Sequence, residues 1–149
     1  MKLSTKCSIA LHCLIFICEY ENKLKVTSEL LAKSTGCNSA AIRSIQNSLQ
    51  KAGIITVTRG IGGAHLNKNP KEVTIWDVYH ALEPEGLDHF IGFHPHPSRK
   101  CPVGKRISSV LKKPYNEIGN SVKNSMKKIT LQQLLDEYQS YDNYVTKEE

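Results

Sequence analysis

The first seventy residues of this chain are poor in acidic side chains. They contain three, against nine lysines and arginines, whereas residues 71–149 contain eleven of each sign. The formal charge of +6 therefore lies entirely in the first half, as expected for an appended nucleic-acid-binding module. The composition, 40% hydrophobic and 23% charged, excludes disorder of the whole chain.

The chain also lacks an apolar run long enough to cross a bilayer. The run at residues 9–18 is shorter than the roughly 20 residues that a membrane helix needs, and it contains His12. It passes into Glu19 without the small-residue cleavage site of a signal peptide. We expect a buried helix of a cytoplasmic protein with no membrane partner. The odd number of cysteines, five, fits a reducing compartment.

Capping residues and glycines predict three helices in the first half of the chain. The predicted helices are 5–18, 29–35 and 39–51; each follows Ser, Thr or Asn, and the last two stop at Gly36 and Gly53. In the third helix one narrow stripe is apolar and buried, formed by Ile42, Ile45 and Leu49. The opposite face has short or hydrogen-bonding side chains and no acid: Ala40, Arg43, Ser44, Asn47 and Lys51.

After the third helix the pattern becomes extended. Residues 54–58 are rich in β-branched side chains, residues 59–63 form a glycine-rich turn, and residues 64–67 return as a second strand. The glycines do not form a phosphate loop, because no Gly-Lys-Ser/Thr ending follows and His65 stands where a dinucleotide fingerprint needs glycine. A helix pair followed by such a hairpin predicts a winged helix-turn-helix.

The second half reads as a helix, a loop and a long helix. Thr74 opens a short helix to about Glu83, and residues 84–101 are loop-like. Apolar side chains then recur every three or four residues: Ile107, Leu111, Tyr115, Ile118, Val122, Met126 and Ile129. A protruding helix with one apolar stripe usually needs another chain.

The predicted fold is therefore mainly α with a small β-hairpin. We expect a winged helix-turn-helix DNA-binding domain at residues 1–83 and an effector or sensor loop at residues 84–101. Residues 102–149 are expected to form a long dimerisation helix and a C-terminal helix, the latter opened by a capping box at Thr130.

Several motifs resemble one family in order and spacing. They are Leu3-Ser4-Thr5-Lys6, the segment Leu49–Ile55, the segment Arg59–Leu66, and Val73-Thr74-Ile75-Trp76-Asp77-Val78. They are similar to the Rrf-two family of bacterial winged-helix transcription regulators over about residues 1–83. The resemblance implies a homodimer on a palindromic operator, with residues 39–51 as recognition helix and residues 59–66 as wing.

One departure from the family concerns cofactors. Iron–sulfur members carry three cysteines before the dimerisation helix, whereas this loop has only Cys101. A cluster needs several thiolates, so we predict a cluster-free subgroup with no cofactor.

We expect double-stranded DNA to be contacted by the third helix, the wing and the first helix. The site residues are Lys6, Ser39, Ala40, Arg43, Ser44, Asn47, Lys51, Arg59, Gly60, Gly62, Gly63 and His65. Arg43 is expected to contact bases or phosphates, Ala40 a thymine methyl, and Arg59 the minor groove. Lys6 and Lys51 are expected to bind phosphates, which position the protein without specifying sequence. The expected function is a transcription regulator, more specifically a repressor.

Two hypotheses concern the effector. Cys101 lies at the predicted start of the long helix, where amides and neighbouring cations favour a thiolate, so it is the candidate redox sensor with Cys37 as resolving thiol. The alternative is a regulator that responds to a metal or small molecule through the loop 89–101. Its candidate ligands, His89, His94, His96 and Cys101, match no zinc signature. No catalytic constellation is visible, so an enzyme is not expected.

Overall fold

Side-chain caps and one left-handed glycine set the ends of the first helices. In this computed structural model, which describes residues 4–60, 62–88 and 90–145 (side chains to 141), six helices and a hairpin are present. They are α1 (Thr5–Tyr20), α2 (Ser28–Thr35), α3 (Ser39–Lys51), β1 (Ile55–Thr58), β2 (Gly63–Leu66), α4 (Ile75–Leu82), α5 (Pro102–Lys128) and α6 (Leu131–Val145). The predicted mainly α fold with one hairpin is confirmed.

The caps are those that the sequence indicated. The Ser4 side chain accepts a hydrogen bond from the Lys6 amide at 3.2 Å, and Asn38 Oδ1 accepts one from Ala41 at 2.8 Å. Gly36 has a φ of 73°, a left-handed conformation that ends α2 and turns the chain into α3. The two helices of the predicted helix-turn-helix are thus set by local chemistry.

The hairpin is anchored to the end of α1 and to the connector before α2. Its strands are antiparallel, with Val57 opposite Ala64. The Ala64 amide donates to the Val26 carbonyl at 3.0 Å, and the Leu66 amide donates to a Glu21 carboxylate oxygen at 2.8 Å. These bonds hold the wing against the helical part.

The core is built around α1 and also includes residues of the last helix, α6. Leu14 and Ile17 of α1 are fully buried, and Leu131 and Leu135 of α6 join the same cluster. The Leu131 amide donates to the Val73 carbonyl at 2.7 Å. The start of α6 is therefore tied to the start of α4. Helix α6 shares a core with α1, although the sequence grouped it with α5.

Helix α5 is mostly uncovered. It runs continuously through Pro114, and Gly119 is its one buried residue. Val103 and Val110 are 68% and 64% exposed. Among the described residues, no helix is long and apolar enough to span a membrane.

Candidate DNA-binding surface

A groove of about 510 Å³ runs between α3 and the wing. It brings together five of the residues predicted to contact DNA: Arg43, Asn47, Arg59, Gly60 and Gly63. Helix α3 and the hairpin therefore form the two walls of one concave surface.

The orientation of α3 agrees with the sequence pattern. Ile42 and Leu49 are fully buried and Ile45 is 5% exposed, which confirms the predicted apolar stripe. Ala40, Arg43, Ser44, Asn47 and Lys51 are exposed, and Ser39 is partly so. Ser39, Ala40 and Ser44 lie on this accessible helix but do not line the groove.

The groove carries an excess of positive charge. Lys25, Arg43 and Arg59 line it, against a single acid, Glu29. The pKa of the Glu29 carboxyl is lowered, first by the backbone amide at the start of α2, and then by the Ser28 hydroxyl and the positive charge of Arg43. Glu29 is therefore a carboxylate that stands close to the best candidate for base recognition.

Sequence reasoning missed the residues that come from the start of α2. Lys25, Thr27, Ser28 and Glu29 line the groove, as do Gln46 and Gln50 of α3. The available signal was Thr27, which caps α2 by accepting a hydrogen bond from the Leu30 amide at 3.2 Å. The first helix of a helix-turn-helix crosses the DNA backbone, so its N-terminus belongs to the same surface.

At two glycines of the wing, a larger residue would overlap neighbouring atoms. A Cβ at Gly62 would overlap Thr58 Cβ, and one at Gly63 would lie 2.9 Å from the Val26 amide nitrogen. Gly60 has a φ of 84° and open space around it. Their roles in DNA contact stay predictions, and Gly60 is the most accessible of the three.

His65 is engaged inside the hairpin. Its Nε2 lies 2.8 Å from the Gly62 carbonyl oxygen, and its Nδ1 lies 4.0 Å from a Glu21 carboxylate oxygen. The ring thus links the wing to the end of α1, and its expected DNA contact also stays a prediction.

The two predicted phosphate-binding lysines lie outside the groove. Lys6 is exposed in the first turn of α1. Lys51 lines a separate groove with Lys68 beside α4. Both are accessible to a phosphate backbone.

The cysteines differ in burial and in acidity. Cys101 is exposed at the N-terminus of α5, where the backbone amides of Gly104 and Val103 lower its pKa. Burial raises the pKa of Cys13 to about 12 and that of Cys18 to about 11. Cys37 is half-buried at the α2–α3 turn, with Sγ 3.8 Å from the Thr35 carbonyl oxygen.

The donor set does not fit an iron–sulfur cluster. Cys101 is the one thiol of the loop, the other cysteines lie on α1 or at the α2–α3 turn, and a cluster needs several thiolates. His94 and His96 are exposed, and His89 lies outside the described residues. Across residues 4–60, 62–88 and 90–145, no three His, Cys, Asp or Glu side chains are grouped as metal ligands would be.

Comparison with known proteins assigns this architecture. A family model, Rrf2, described as an iron-dependent transcriptional regulator, matches residues 3–137. The chain is 29% identical over 133 residues to YwnA of Bacillus subtilis, which is named as an HTH-type transcriptional regulator; the match covers 89% of this chain and 96% of YwnA.

Solved structures agree with that match. A transcriptional regulator from Lactobacillus plantarum has a TM-score of 0.77 at 24% identity, covering 97% of this chain and 96% of its own. The oxidised form of Staphylococcus aureus CymR has a TM-score of 0.61 at 22% identity, covering 91% and 96%.

Proposed function

The chain belongs to the Rrf2 family of winged-helix, DNA-binding transcription regulators, and we propose that it is a repressor that acts as a homodimer on an inverted-repeat operator. The observation that carries the proposal is the groove in which Arg43 and Asn47 of α3 face Arg59 of the wing. Two such surfaces in a symmetric dimer would read major grooves about 34 Å apart, or a small multiple of this. Such a protein would act in the cytoplasm and needs no catalytic activity.

Selection from a random duplex library tests sequence-specific binding and yields the operator. With that operator, Arg43→Ala should weaken binding by about 1–3 kcal/mol and relax the base preference at one position of each half-site. Arg59→Ala should weaken binding and reduce the A·T preference under the wing. Lys71→Ala, at an exposed position outside the groove, is the matched control. An unchanged base preference in Arg43→Ala would exclude α3 as the reading helix.

Exposed apolar side chains on α5 support the homodimer. Val110 and Ile118 are 64% and 44% exposed, which is costly for apolar side chains on a protruding helix. We expect Val110→Asp combined with Ile118→Asp to give a monomer in light scattering and to abolish cooperative operator binding. Lys112→Asp, at an exposed position on α5, is the control. A wild-type protein that is monomeric at micromolar concentration would refute the dimer.

A thiol switch at Cys101 is the effector hypothesis that the geometry supports best. Exposure and lowered pKa favour attack of the Cys101 thiolate on hydrogen peroxide, which breaks the O–O bond and, with one proton from solvent, gives a sulfenic acid and water. Condensation with a second thiol, for which we propose Cys37 of its own or the partner chain, would release another water and form a disulfide. The relative named as CymR has been crystallised in an oxidised form, which supports redox chemistry in this architecture.

Operator release by hydrogen peroxide tests the switch. Cys101→Ser should bind the operator when reduced but resist release, and Cys37→Ser should stop at the sulfenic acid, which dimedone labels. Cys18→Ser, at a thiol whose pKa is raised to about 11, should respond like wild type. Release of Cys101→Ser at the wild-type peroxide concentration would place the switch elsewhere.

A further inference from the structure

A second groove, of about 460 Å³, lies between α4, the turn at residues 84–88 and the middle of α5. This volume is within the roughly 300–1,000 Å³ that is usual for small-molecule sites. The groove is distinct from the DNA-binding surface and from Cys101, and it shares no lining residue with the groove between α3 and the wing.

The turn that forms one wall is fixed to α4. The Gly86 amide donates to the Glu83 carbonyl at 2.9 Å, and the Tyr79 hydroxyl donates to the Gly86 carbonyl at 3.3 Å. Gly86 has a φ of 66°, and a Cβ there would lie 3.3 Å from the Trp76 ring. The turn is therefore held against the edge of the Trp76 ring. This wall of the groove exists without a bound ligand.

The opposite wall is one face of α5. Asn116, Asn120 and Lys123 are spaced by four and three residues, which places them on the same side of a helix. Gly119 lies between them and is buried; a Cβ there would lie 3.6 Å from the Leu87 carbonyl oxygen. Gly119 is therefore the point at which the turn packs against α5, between the two amides.

Acidic and basic side chains line opposite walls of the groove. Glu85 and Asp88 stand on the turn, whereas Lys123 stands on α5 with its Nζ 4.7 Å from the centre of the Trp76 ring. In the part of the chain that the structure describes, no ion pair joins any of these three side chains to another group. The carboxylates of the turn are therefore without an ion-pair partner, and the Trp76 ring holds the Lys123 ammonium at the groove.

We propose that this groove binds a free α-amino acid. The ligand carboxylate would lie against Lys123 and the amide groups of Asn116 and Asn120, and its ammonium against Glu85 and Asp88. The ligand side chain would pack on Leu87, Pro84 and the part of Trp76 that lines the groove beside Lys123 and His80.

Other ligand chemistries match only one wall. A phosphate or a nucleotide would face two carboxylates, and a metal ion would face the Lys123 ammonium. A simple amine or a simple carboxylic acid would leave one set of charges without a partner. A zwitterion complements both walls.

Binding of a ligand in this groove can affect the groove between α3 and the wing through α4. Helix α4 packs against α1, α3 and α5. A ligand that joins α4 to α5 would fix the DNA-binding part relative to the protruding helix. This regulatory step rests on the proposed function, whereas the binding step does not.

Isothermal titration calorimetry of the full chain with each common L-amino acid, without DNA, tests the site. We expect one amino acid or one side-chain class to bind, and its decarboxylated amine and its deaminated acid to bind at least about tenfold more weakly. Lys123→Met, and Glu85→Gln combined with Asp88→Asn, should each lose about tenfold or more. Lys112→Met, an exposed lysine on α5 outside the groove, should bind like wild type.

Three results would overturn the proposal: no heat with any amino acid at millimolar concentration, equal binding of the amine or acid analogue, or unchanged binding in both groove variants. Circular dichroism of the variants checks their fold. Operator binding by the ligand-free protein and by Arg43→Ala tests the DNA-binding function separately. Failure of the amino acid site is thus distinguishable from failure of the regulator.

Discussion

At the scale of single residues, position on the backbone decides how each thiol behaves. Cys101 and Cys13 are chemically identical, yet helix-terminal amides lower the pKa of Cys101 and burial raises that of Cys13 to about 12. The sequence indicated this division, because one cysteine precedes a helix and the other lies within an apolar run.

Alkylation by iodoacetamide measures this difference. Because its pKa is lowered, Cys101 is thiolate at a lower pH than an ordinary cysteine, so its rate–pH curve should have a midpoint below that of an unstructured cysteine peptide. Cys13 should label near neutral pH only after unfolding. Mass spectrometry of the digested protein separates the sites, and Cys101→Ser identifies the fast phase. A Cys101 midpoint at or above that of the peptide would contradict the expectation.

Glu29 offers a residue-scale test of specificity. Its carboxylate is the one acid lining the groove between α3 and the wing, and it acts electrostatically on Arg43. Glu29→Gln should strengthen binding to scrambled duplexes by up to about fivefold at low salt, because one repulsive charge is lost. The operator should gain less, because Arg43, the proposed base-reading residue, also loses the attractive charge of Glu29 beside it.

The measurement is the dissociation constant on operator and on scrambled duplex at several salt concentrations. Glu72→Gln, at an exposed acid outside the groove, is the control. An equal gain on both duplexes would mean that Glu29 affects affinity alone.

At the scale of elements, the wing depends on close contact across its own turn. A Cβ at Gly62 would overlap Thr58 Cβ, whereas a Cβ at Gly92 would meet nothing within 4 Å. Gly62→Ala should therefore distort the turn at a cost of about 1–3 kcal/mol and weaken operator binding. Gly92→Ala should change neither. Thermal unfolding and operator titration measure the two effects, and a fully active Gly62→Ala would show that the turn can shift freely.

Local chemistry made most elements predictable, and tertiary contacts account for what was missed. Asn38, Gly36 and the Thr74 capping box act on neighbouring residues, so sequence reading located these helix ends. Lys25 and Glu29 reach the DNA-binding groove only because the wing folds back on Val26, a contact between distant segments. The groove between α4 and α5 likewise depends on packing that no local pattern encodes.

At the scale of the whole molecule, one core joins the first and last helices. Leu131 of α6 is 1% exposed and lies in the same cluster as Leu14 of α1. Leu131→Ala should therefore lower the free energy of unfolding by about 2–5 kcal/mol and destabilise the DNA-binding part with it. Leu24→Ala, at a side chain that is 42% exposed, should cost far less. Denaturant titration measures both, and an Ala variant at 131 as stable as wild type would show that α6 is dispensable.

The bridge between Thr74 and Thr130 has a consequence for how such a protein can diversify. The backbone bonds around it join the start of α4 to the end of α5, so the two ends of this stretch are held together at one place. Lengthening a closed loop is inexpensive, at about 0.6 kcal/mol for each doubling. The turn and loop within that stretch can therefore be exchanged or extended during evolution. The residues that join its two ends, and the arrangement of α3 and the wing, keep their geometry.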